Sequence, residues 1–421
     1  MPISLRLTSV AYGGPAVGRH QGKTIFVPYA IPGEEVLVDI VQDRGRYAWA
    51  RLLQVTTASP DRVAVPCPHC GPEQCGGCAW QHMAYPLQLS LKTQVVREQL
   101  QRLGGVEEPV VRPALGMDQP WQYRNNVQLV ADASGRLGYR SAQTNRTVII
   151  SQCPIAHPLL GEMARPETAG GPWRLPAALA GAQVQRAILR AGTQTGQQML
   201  VLETIGEAPG LSGPWPFPVV AMRNGVLQRP CPRDYIEERL GGRLFRVSAG
   251  SFFQVNTAQA ERLAEMVKLY AGLRGNETLL DCFCGVGTFG LLLANQARRV
   301  IGVEESRSAI VDARANVNAA GLANVTLLQG KAERVLASIR ERVDVAIVDP
   351  PRQGCATAVL AALGRLKPKR IVYVSCDPST LARDIARLAQ AGYALEEATP
   401  VDMFPQTYHI ETVAMLSRNP S

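Results

Sequence analysis

The sequence predicts a multidomain α/β protein with a small N-terminal β-barrel, a β-rich central domain and a C-terminal Rossmann-like domain. Three observations predict it. At the N-terminus, short runs that alternate apolar and polar residues are separated by Gly and Pro turns. Further strand-like runs follow in the middle of the chain. In the last third, predicted helices alternate with buried strands. The 421 residues are enough for several hydrophobic cores. We place the domains at residues 1–58, 59–248 and 249–421.

Residues 1–58 carry the pattern of a small antiparallel barrel. Four runs alternate apolar and polar residues between turns rich in Gly and Pro. These runs are Ser4–Leu7, Lys23–Val27, Glu35–Ile40 and Ala48–Val55. Basic side chains accumulate in the same segment, namely Arg19, His20, Lys23, Arg44, Arg46 and Arg51. With the net charge of +9, they suit a polyanionic partner.

The composition of the whole chain indicates a soluble, cytoplasmic protein. No apolar run approaches the length that spans a membrane, and no basic start followed by an apolar core is present. The ten cysteines belong to a long enzyme-like sequence, whereas a secreted disulfide framework would be short. Nothing indicates an obligate protein partner, so we expect a monomer.

Four of the cysteines lie within residues 67–78, and this spacing predicts a metal or cluster site. The pattern Cys67-x7-Cys75-x2-Cys78, with the distant Cys153, supplies four thiolates, the number that a [4Fe-4S] cluster or a tetrahedral zinc ion needs. Zinc sites usually have two Cys-x2-Cys pairs, whereas the four cysteines chosen here include one such pair, Cys75 and Cys78, together with the distant Cys153. The extra thiol of Cys70 leaves two choices for the first ligand, of which we favour Cys67 for its Cys-Pro-His context.

The central region begins with a helix and continues as strands. Residues 85–103 place apolar side chains at helical spacing before Gly104, and we expect this helix to pack on the C-terminal domain. A hairpin is predicted between Val127–Val130 and Leu137–Arg140.

The C-terminal section reads as a doubly wound parallel sheet with an antiparallel end. The predicted helices are 258–271, 287–297, 306–320 and 379–390. The predicted strands are 278–281, 299–304, 325–329, 343–348 and 370–375, with a closing pair near 394–403 and 411–417.

A glycine turn joins the first strand and helix of this sheet, in Asp281-Cys-Phe-Cys-Gly-Val-Gly-Thr288. Glycines at such a turn let backbone N–H groups approach a ligand at a helix N-terminus. The next strand ends on Glu304, a natural acceptor for two ribose hydroxyls. The turn has neither the P-loop pattern nor the dinucleotide fingerprint. It resembles motif I of the methyltransferases that use S-adenosylmethionine (SAM).

Three further polar positions follow strand ends. Asp349-Pro-Pro-Arg352 follows the fourth strand, Cys376 follows the fifth and precedes a helix, and Glu411 ends a loop that contains His409. A thiol before a helix can be pushed toward thiolate by the helix dipole. The order of these features after a SAM turn is hard to explain as packing alone.

Taken together, the motifs resemble those of the RNA 5-methyluridine methyltransferases. The stretches Gly14-Pro-Ala-Val-Gly-Arg19 and Phe26-Val-Pro-Tyr-Ala-Ile-Pro-Gly-Glu34 look like a TRAM domain, an RNA-binding barrel. Ser251-Phe-Phe-Gln-Val-Asn256, Ser375-Cys-Asp-Pro378 and Met403-Phe-Pro-Gln-Thr-Tyr-His-Ile-Glu411 complete the likeness. The combination of TRAM domain and cysteine cluster resembles the branch that modifies 23S ribosomal RNA.

The resemblance implies a role for each candidate residue. Cys376 would be the nucleophile that adds to carbon 6 of uracil, and Glu411 the base that removes the proton from carbon 5. The positions that would contact or border SAM are Gln254, Phe283, Thr288, Glu304 and Asp349. The cluster ligands would be Cys67, Cys75, Cys78 and Cys153. The expected partners are SAM, a [4Fe-4S] cluster and RNA, with ribosomal RNA favoured.

The sequence departs from this family at two positions and leaves three alternatives open. Asp377 stands where many members have Asn, and Asn126 stands where Lys is frequent. The alternatives are methylation of a tRNA uridine, N-methylation of a base or protein side chain, and a non-catalytic RNA-binding factor with an iron–sulfur cluster. Arg352 argues against the N-methyltransferases, which have an aromatic residue after Asp/Asn-Pro-Pro.

Overall fold

The computed structural model describes residues 2–419 except 143, 145, 165–167, 169, 180–182, 207–210, 212–214, 229–230 and 232. The chain builds a closed N-terminal barrel, a mixed central sheet, a two-stranded hairpin and a C-terminal sheet flanked by helices.

Five strands close the N-terminal barrel in the order β1-β2-β3-β5-β4. They are β1 Ile3–Val10, β2 Ala16–His20, β3 Lys23–Val27, β4 Glu35–Asp43 and β5 Tyr47–Thr57. Side chains that alternate along each strand fill the interior, as the period of 2 requires. The predicted barrel is confirmed, with two corrections. β2 was not among the predicted strands, and β3 pairs with β5 in parallel.

The central region contains helix α1 and a sheet that, within the described residues, has the order β12-β11-β10-β9-β6-β7-β8. Its elements are α1 Tyr85–Arg102, β6 Asn126–Ala131, β7 Leu137–Arg140, β8 Thr147–Ile149, α2 Pro158–Met163, β9 Val184–Ala191, β10 Gln198–Thr204, β11 Val219–Arg223 and β12 Val226–Leu227. The predicted hairpin is β6 and β7. A separate hairpin, β13 Tyr235–Leu240 and β14 Arg243–Ser248, leads into the C-terminal region.

The C-terminal sheet has the order β17-β16-β15-β18-β19-β21-β20. The first five of these strands are parallel, and β21 and β20 close the sheet as antiparallel strands. The elements are α3 Thr257–Ala271, β15 Thr278–Cys282, α4 Thr288–Leu293, β16 Arg299–Glu304, α5 Arg307–Ala319, β17 Val325–Gln329, α6 Ala332–Ser338, β18 Val345–Val348, α7 Thr357–Leu366, β19 Arg370–Ser375, α8 Pro378–Gln390, β20 Tyr393–Val401 and β21 Glu411–Arg418. The strand order reverses between β15 and β18, which is where open α/β sheets bind ligands.

Helix α1 connects the regions. Val95, Val96 and Leu100 pack into the core that covers one face of the C-terminal sheet. On the same helix, Leu91 belongs to a smaller apolar cluster with Val10 of the barrel. The barrel is therefore seated against the C-terminal region through buried apolar contacts. Among the described residues, no helix has the length and apolar character that crossing a membrane requires.

Candidate active site

The turn after β15 has an unusual backbone, and its residues explain why. Phe283, Gly285 and Gly287 all have positive φ, at 64°, 56° and 90°. Glycine adopts this conformation freely, whereas for a phenylalanine it is strained. The turn brings Thr288 to the first position of α4, where unpaired N–H groups of a helix begin.

Asp281 lies at the end of β15, fully buried under this turn. Its Oδ2 accepts a hydrogen bond of 2.7 Å from the Gly290 N–H, and a Cβ on Gly290 would lie 2.9 Å from that oxygen. The other oxygen, Oδ1, is buried without a hydrogen-bond partner. Burial, with the charges of Asp349 and Glu304, raises the pKa of Asp281 to about 7.

Glu304 ends the neighbouring strand β16, and the backbone holds its carboxylate on both oxygens. Oε2 accepts from the Gly285 N–H at 2.9 Å, and Oε1 accepts from the Ser306 N–H at 2.6 Å. A carboxylate oxygen can accept more than one hydrogen bond. Glu304 is thus oriented beside the glycine turn and can still accept hydrogen bonds from the two hydroxyls of a ribose.

The segment that carries Gln254 is fixed at both ends. Before it, the Ser251 hydroxyl donates to the buried carboxylate of Asp312 at 2.6 Å. After it, Asn256 caps α3 and donates to the Met403 carbonyl at 3.2 Å. Gln254 itself is 9% exposed, and its carbonyl accepts from Asn125. The segment therefore joins α5, which follows Glu304, to the loop that precedes Glu411.

Cys376 and Glu411 are neighbours across two paired strands. β19 and β21 are antiparallel with Ser375 opposite Thr412, so the residue after Ser375 lies beside the residue before Thr412. Val348 pairs with Tyr373 on the other side of β19, which brings Asp349 to the same edge of the sheet. The fold thus brings together three residues that are far apart in the sequence.

These three groups influence one another electrostatically. Burial raises the pKa of the Cys376 thiol to about 12, and the charges of Glu411 and Asp349 add to the shift, while Arg352 opposes it. Burial raises the pKa of Asp349 to about 7. Burial and the charge of Asp349 also raise the pKa of Glu411 well above its ordinary value. The expected effect of the helix dipole on the thiol is therefore outweighed, and the free protein holds Cys376 as a neutral thiol.

Asp377 fixes the turn that carries Cys376. Its Oδ1 accepts from the N–H groups of Ser379 and Thr380 at 2.9 and 3.0 Å, which caps α8. Its Oδ2 accepts from the Tyr12 hydroxyl, which comes from the barrel. The sequence gives no signal for Tyr12 as a site residue, because it lies 365 residues away from Asp377.

The 402–410 loop, between β20 and β21, leads into Glu411 and is held by several buried groups. Asp402 pairs with the Lys92 ammonium at 2.5 Å and accepts from the Tyr85 hydroxyl at 2.8 Å. The side chain of Gln88 exchanges hydrogen bonds with Gln406. Within the loop, burial lowers the pKa of His409 to about 4, so its ring is neutral. Helix α1 therefore positions the loop that delivers Glu411.

The cysteines predicted to bind a cluster converge on one cavity. Its lining includes five thiols, those of Cys67, Cys70, Cys75, Cys78 and Cys153. Burial raises the pKa of the Cys75 thiol to about 11, and the Gly77 N–H, which donates to its sulfur at 3.4 Å, opposes this shift. Among the described residues, no group of three or more His, Cys, Asp or Glu side chains is arranged to hold a metal ion. Both Cys67 and Cys70 face the cavity, so the choice of first ligand stays open.

Two family models match the chain. Residues 230–419 match the family described as tRNA (uracil-5-)-methyltransferase, and residues 5–53 match the TRAM domain. The second match coincides with the closed barrel, and the first includes the whole C-terminal sheet.

Relatives and a solved structure match nearly the whole chain. An uncharacterized RNA methyltransferase of Halalkalibacterium halodurans is 36% identical, over 98% of this chain and 96% of its own. One of Gloeobacter violaceus is 37% identical, over 99% and 96%. The crystal structure of the tRNA (uracil-54, C5)-methyltransferase of Pyrococcus abyssi with S-adenosyl-L-homocysteine has a TM-score of 0.75 and 28% identity, covering 98% of this chain and 99% of that one.

Proposed function

Because the chain belongs to the uracil-5 RNA methyltransferase family with a TRAM domain, we propose that its substrate is a uridine in 23S ribosomal RNA and that methyl transfer proceeds through a covalent cysteine adduct. The observation that carries the covalent route is the adjacency of Cys376 and Glu411 across β19 and β21, with Asp349 beside them. An N-methyltransferase or a non-catalytic RNA-binding factor would need neither the thiol nor the base.

The reaction follows from the poor nucleophilicity of carbon 5 of uracil. With SAM bound, the Cys376 thiol loses its proton to solvent and the resulting thiolate adds to carbon 6. Carbon 5 becomes an enolate carbon that attacks the methyl group of SAM and releases S-adenosylhomocysteine. Glu411 then takes the proton from carbon 5, the double bond reforms and the thiolate leaves. The methyl group on carbon 5 replaces the hydrogen, and the proton ends on Glu411.

The cationic methyl donor offers a reason for the raised pKa values in the free site. A sulfonium near Asp349 would lower the pKa of that carboxyl, of Glu411 and of the thiol, because all three gain charge of the opposite sign on ionisation. In this proposal Glu304 binds the ribose, and Gln254, Phe283, Thr288 and Asp349 border SAM. Their roles are those that the family resemblance implies, and they are supported by the positions of Phe283 and Thr288 in the glycine turn and of Glu304 and Asp349 at neighbouring strand ends.

Trapping with RNA that contains 5-fluorouridine tests the covalent route. Fluorine at carbon 5 cannot leave as a proton, so the reaction should stop as a covalent protein–RNA adduct on a denaturing gel. We expect an adduct with SAM, none with Cys376→Ala, and a normal SAM affinity in that variant. A Cys376→Ala protein that methylates RNA at the wild-type rate would falsify the covalent mechanism.

Transfer RNA is the second candidate substrate, favoured by the similarity to a tRNA enzyme over nearly the full length of both chains. Ribosomal RNA is supported by the cysteine-lined cavity next to a TRAM barrel, a combination that resembles the ribosomal branch of the family. Mapping the nucleotide in the trapped adduct after incubation with total RNA decides between them.

The proposal places the reaction in the cytoplasm with a monomeric enzyme. All ten cysteines are free of disulfides, as in a reducing compartment.

The donor set of the cysteine-lined cavity fits a [4Fe-4S] cluster, since four thiolates are the usual ligands. In our proposal Cys67, Cys75, Cys78 and Cys153 hold it. When bound, the cluster would cross-link residues 67–78 to the segment around Cys153, and the methyl transfer above does not involve it. Its loss should therefore impair folding or RNA binding more than SAM binding.

Iron and acid-labile sulfide measured in full-length protein, purified without oxygen, test this assignment. We expect about four iron atoms per chain, as a four-thiolate cluster holds. Cys75→Ser and Cys153→Ser should lose them. The matched pair Cys67→Ser and Cys70→Ser identifies the first ligand, and iron retained only in Cys67→Ser would show that it is Cys70. Stoichiometric zinc without sulfide would contradict the cluster.

A further inference from the structure

Tyr12 lies in the turn between β1 and β2, and this turn is held against the C-terminal region. The Trp80 indole N–H donates to the Gly14 carbonyl at 3.0 Å. A Cβ on Gly14 would lie 2.8 Å from the Tyr408 side chain, so the turn packs directly on the 402–410 loop. The barrel therefore presents Tyr12 from a fixed base.

The hydroxyl of Tyr12 is anchored beside the nucleophile. It donates to Asp377 Oδ2, and the other oxygen of this carboxylate is already occupied by the N-terminus of α8. Asp377 is the residue directly after Cys376. An acceptor fixed in this way holds the tyrosine ring in one place, next to the reacting thiol.

The ring itself remains accessible. Tyr12 is 42% exposed although its hydroxyl is bonded, and its neighbours in the turn are the small residues Gly13 and Gly14. An anchored aromatic ring with a free face is what proteins use to stack nucleotide bases. Here the ring comes from the barrel and stands at the approach to Cys376.

Chemistry at carbon 6 of uracil gives this ring a use. A base inside a helix cannot reach the thiol, so the target uridine must leave its stack, and its neighbour in the strand loses a stacking partner. We propose that Tyr12 is a specificity-determining residue whose ring stacks on a nucleotide that flanks the target uridine. This inference rests on the proposed uracil chemistry at Cys376. The bond to Asp377 sets the distance between that nucleotide and the nucleophile.

Steady-state methylation of RNA substrates with an abasic site at each position flanking the target tests the proposal. For the wild type, kcat/KM should fall about tenfold on one of the abasic RNAs, which is the loss expected when one base no longer stacks on an aromatic side chain. Tyr12→Leu should lose about tenfold on intact RNA and nothing further on that same abasic RNA. Tyr12→Phe keeps the ring and should still distinguish intact from abasic RNA.

SAM affinity controls for folding in both variants and should match the wild type. A Tyr12→Leu enzyme that methylates intact RNA like the wild type overturns the inference. The inference is also overturned if Tyr12→Leu lowers kcat/KM by the same factor on intact RNA and on every abasic RNA. That result would mean that Tyr12 only supports the structure. A wild-type protein that forms no adduct with 5-fluorouridine RNA would overturn the proposed function itself, and this inference with it.

Discussion

The surroundings of Cys376 favour the protonated form of its thiol. Burial raises its pKa to about 12, and two carboxyl groups nearby disfavour a second negative charge. In the proposed covalent route the nucleophile is the thiolate, so Cys376 of the free protein should react poorly at neutral pH and faster as the pH approaches that pKa. In the proposed route, a positive charge that arrives with SAM would favour the thiolate.

SAM should lower the pH at which Cys376 reacts, whereas S-adenosylhomocysteine, whose sulfur is neutral, should not. At a fixed, mildly alkaline pH, we expect iodoacetamide to modify Cys376 about tenfold faster with SAM than with S-adenosylhomocysteine, which corresponds to one pKa unit. Mass spectrometry of the peptide that contains Cys376 measures the rate. Equal rates with both ligands would show that the sulfonium charge does not reach the thiol.

Among the secondary-structure elements, helix α1 carries the residues that hold the 402–410 loop. The Lys92 and Asp402 side chains are 1% and 0% exposed, and burial lowers the pKa of Lys92 while the carboxylate opposes this shift. A buried pair adds little net stability, but removing one partner leaves an uncompensated charge. The loop thus depends on Lys92 being present and charged.

Lys92→Met should lower the free energy of unfolding by about 3–5 kcal/mol, the usual cost of a buried unpaired charge. Lys331→Met is the matched control, because Lys331 and Glu305 form a pair at 3.7 Å in which the side chains are 59% and 65% exposed. Its effect should be about 0–1 kcal/mol. Denaturant unfolding measures both. A similar effect in the two variants would contradict the prediction and mean that Asp402 finds another partner.

The sequence predicts well the elements whose pattern is local. All seven strands of the C-terminal sheet, with helices α3, α4, α5 and α8, follow from buried runs, glycine turns and caps. The elements that the sequence does not predict are short. β2 is five residues long and contains a glycine, and the helices α2, α6 and α7 have six, seven and ten residues. The strands β11 to β14 of the central region are also absent from the prediction. The parallel pairing of β3 with β5 depends on barrel closure, which no local pattern encodes.

At the scale of the whole molecule, the turn between β1 and β2 of the barrel packs against two loops of the C-terminal region. Its contacts are Tyr12 with Asp377, Gly14 with Tyr408, and the Gly14 carbonyl with Trp80. Each contact joins residues that are far apart in the sequence, so local sequence patterns do not predict it. RNA bound to the barrel would therefore be held in a defined position relative to Cys376.

Gly13 and Gly14 provide a matched test of the contact between the barrel turn and the C-terminal region. Both have positive φ, +92° at Gly13 and +96° at Gly14, so alanine strains the backbone at either position. Only at Gly14 would the new methyl group meet Tyr408, because nothing lies within 4 Å at Gly13. We expect Gly14→Ala to lower kcat/KM for RNA much more than Gly13→Ala, with SAM affinity unchanged in both. Equal losses would indicate that backbone strain alone is responsible.

The hydrogen-bonded ladder between β19 and β21 also bears on heat inactivation. Ser375 and Thr412 pair on two inner strands of a seven-stranded sheet, so their neighbours Cys376 and Glu411 are tied to that sheet. Local loosening of a loop cannot separate the two groups while these strands remain paired. The proposed catalytic pair, Cys376 and Glu411, should therefore keep its spacing up to the temperature at which the sheet itself melts, and warming should end catalysis through global unfolding.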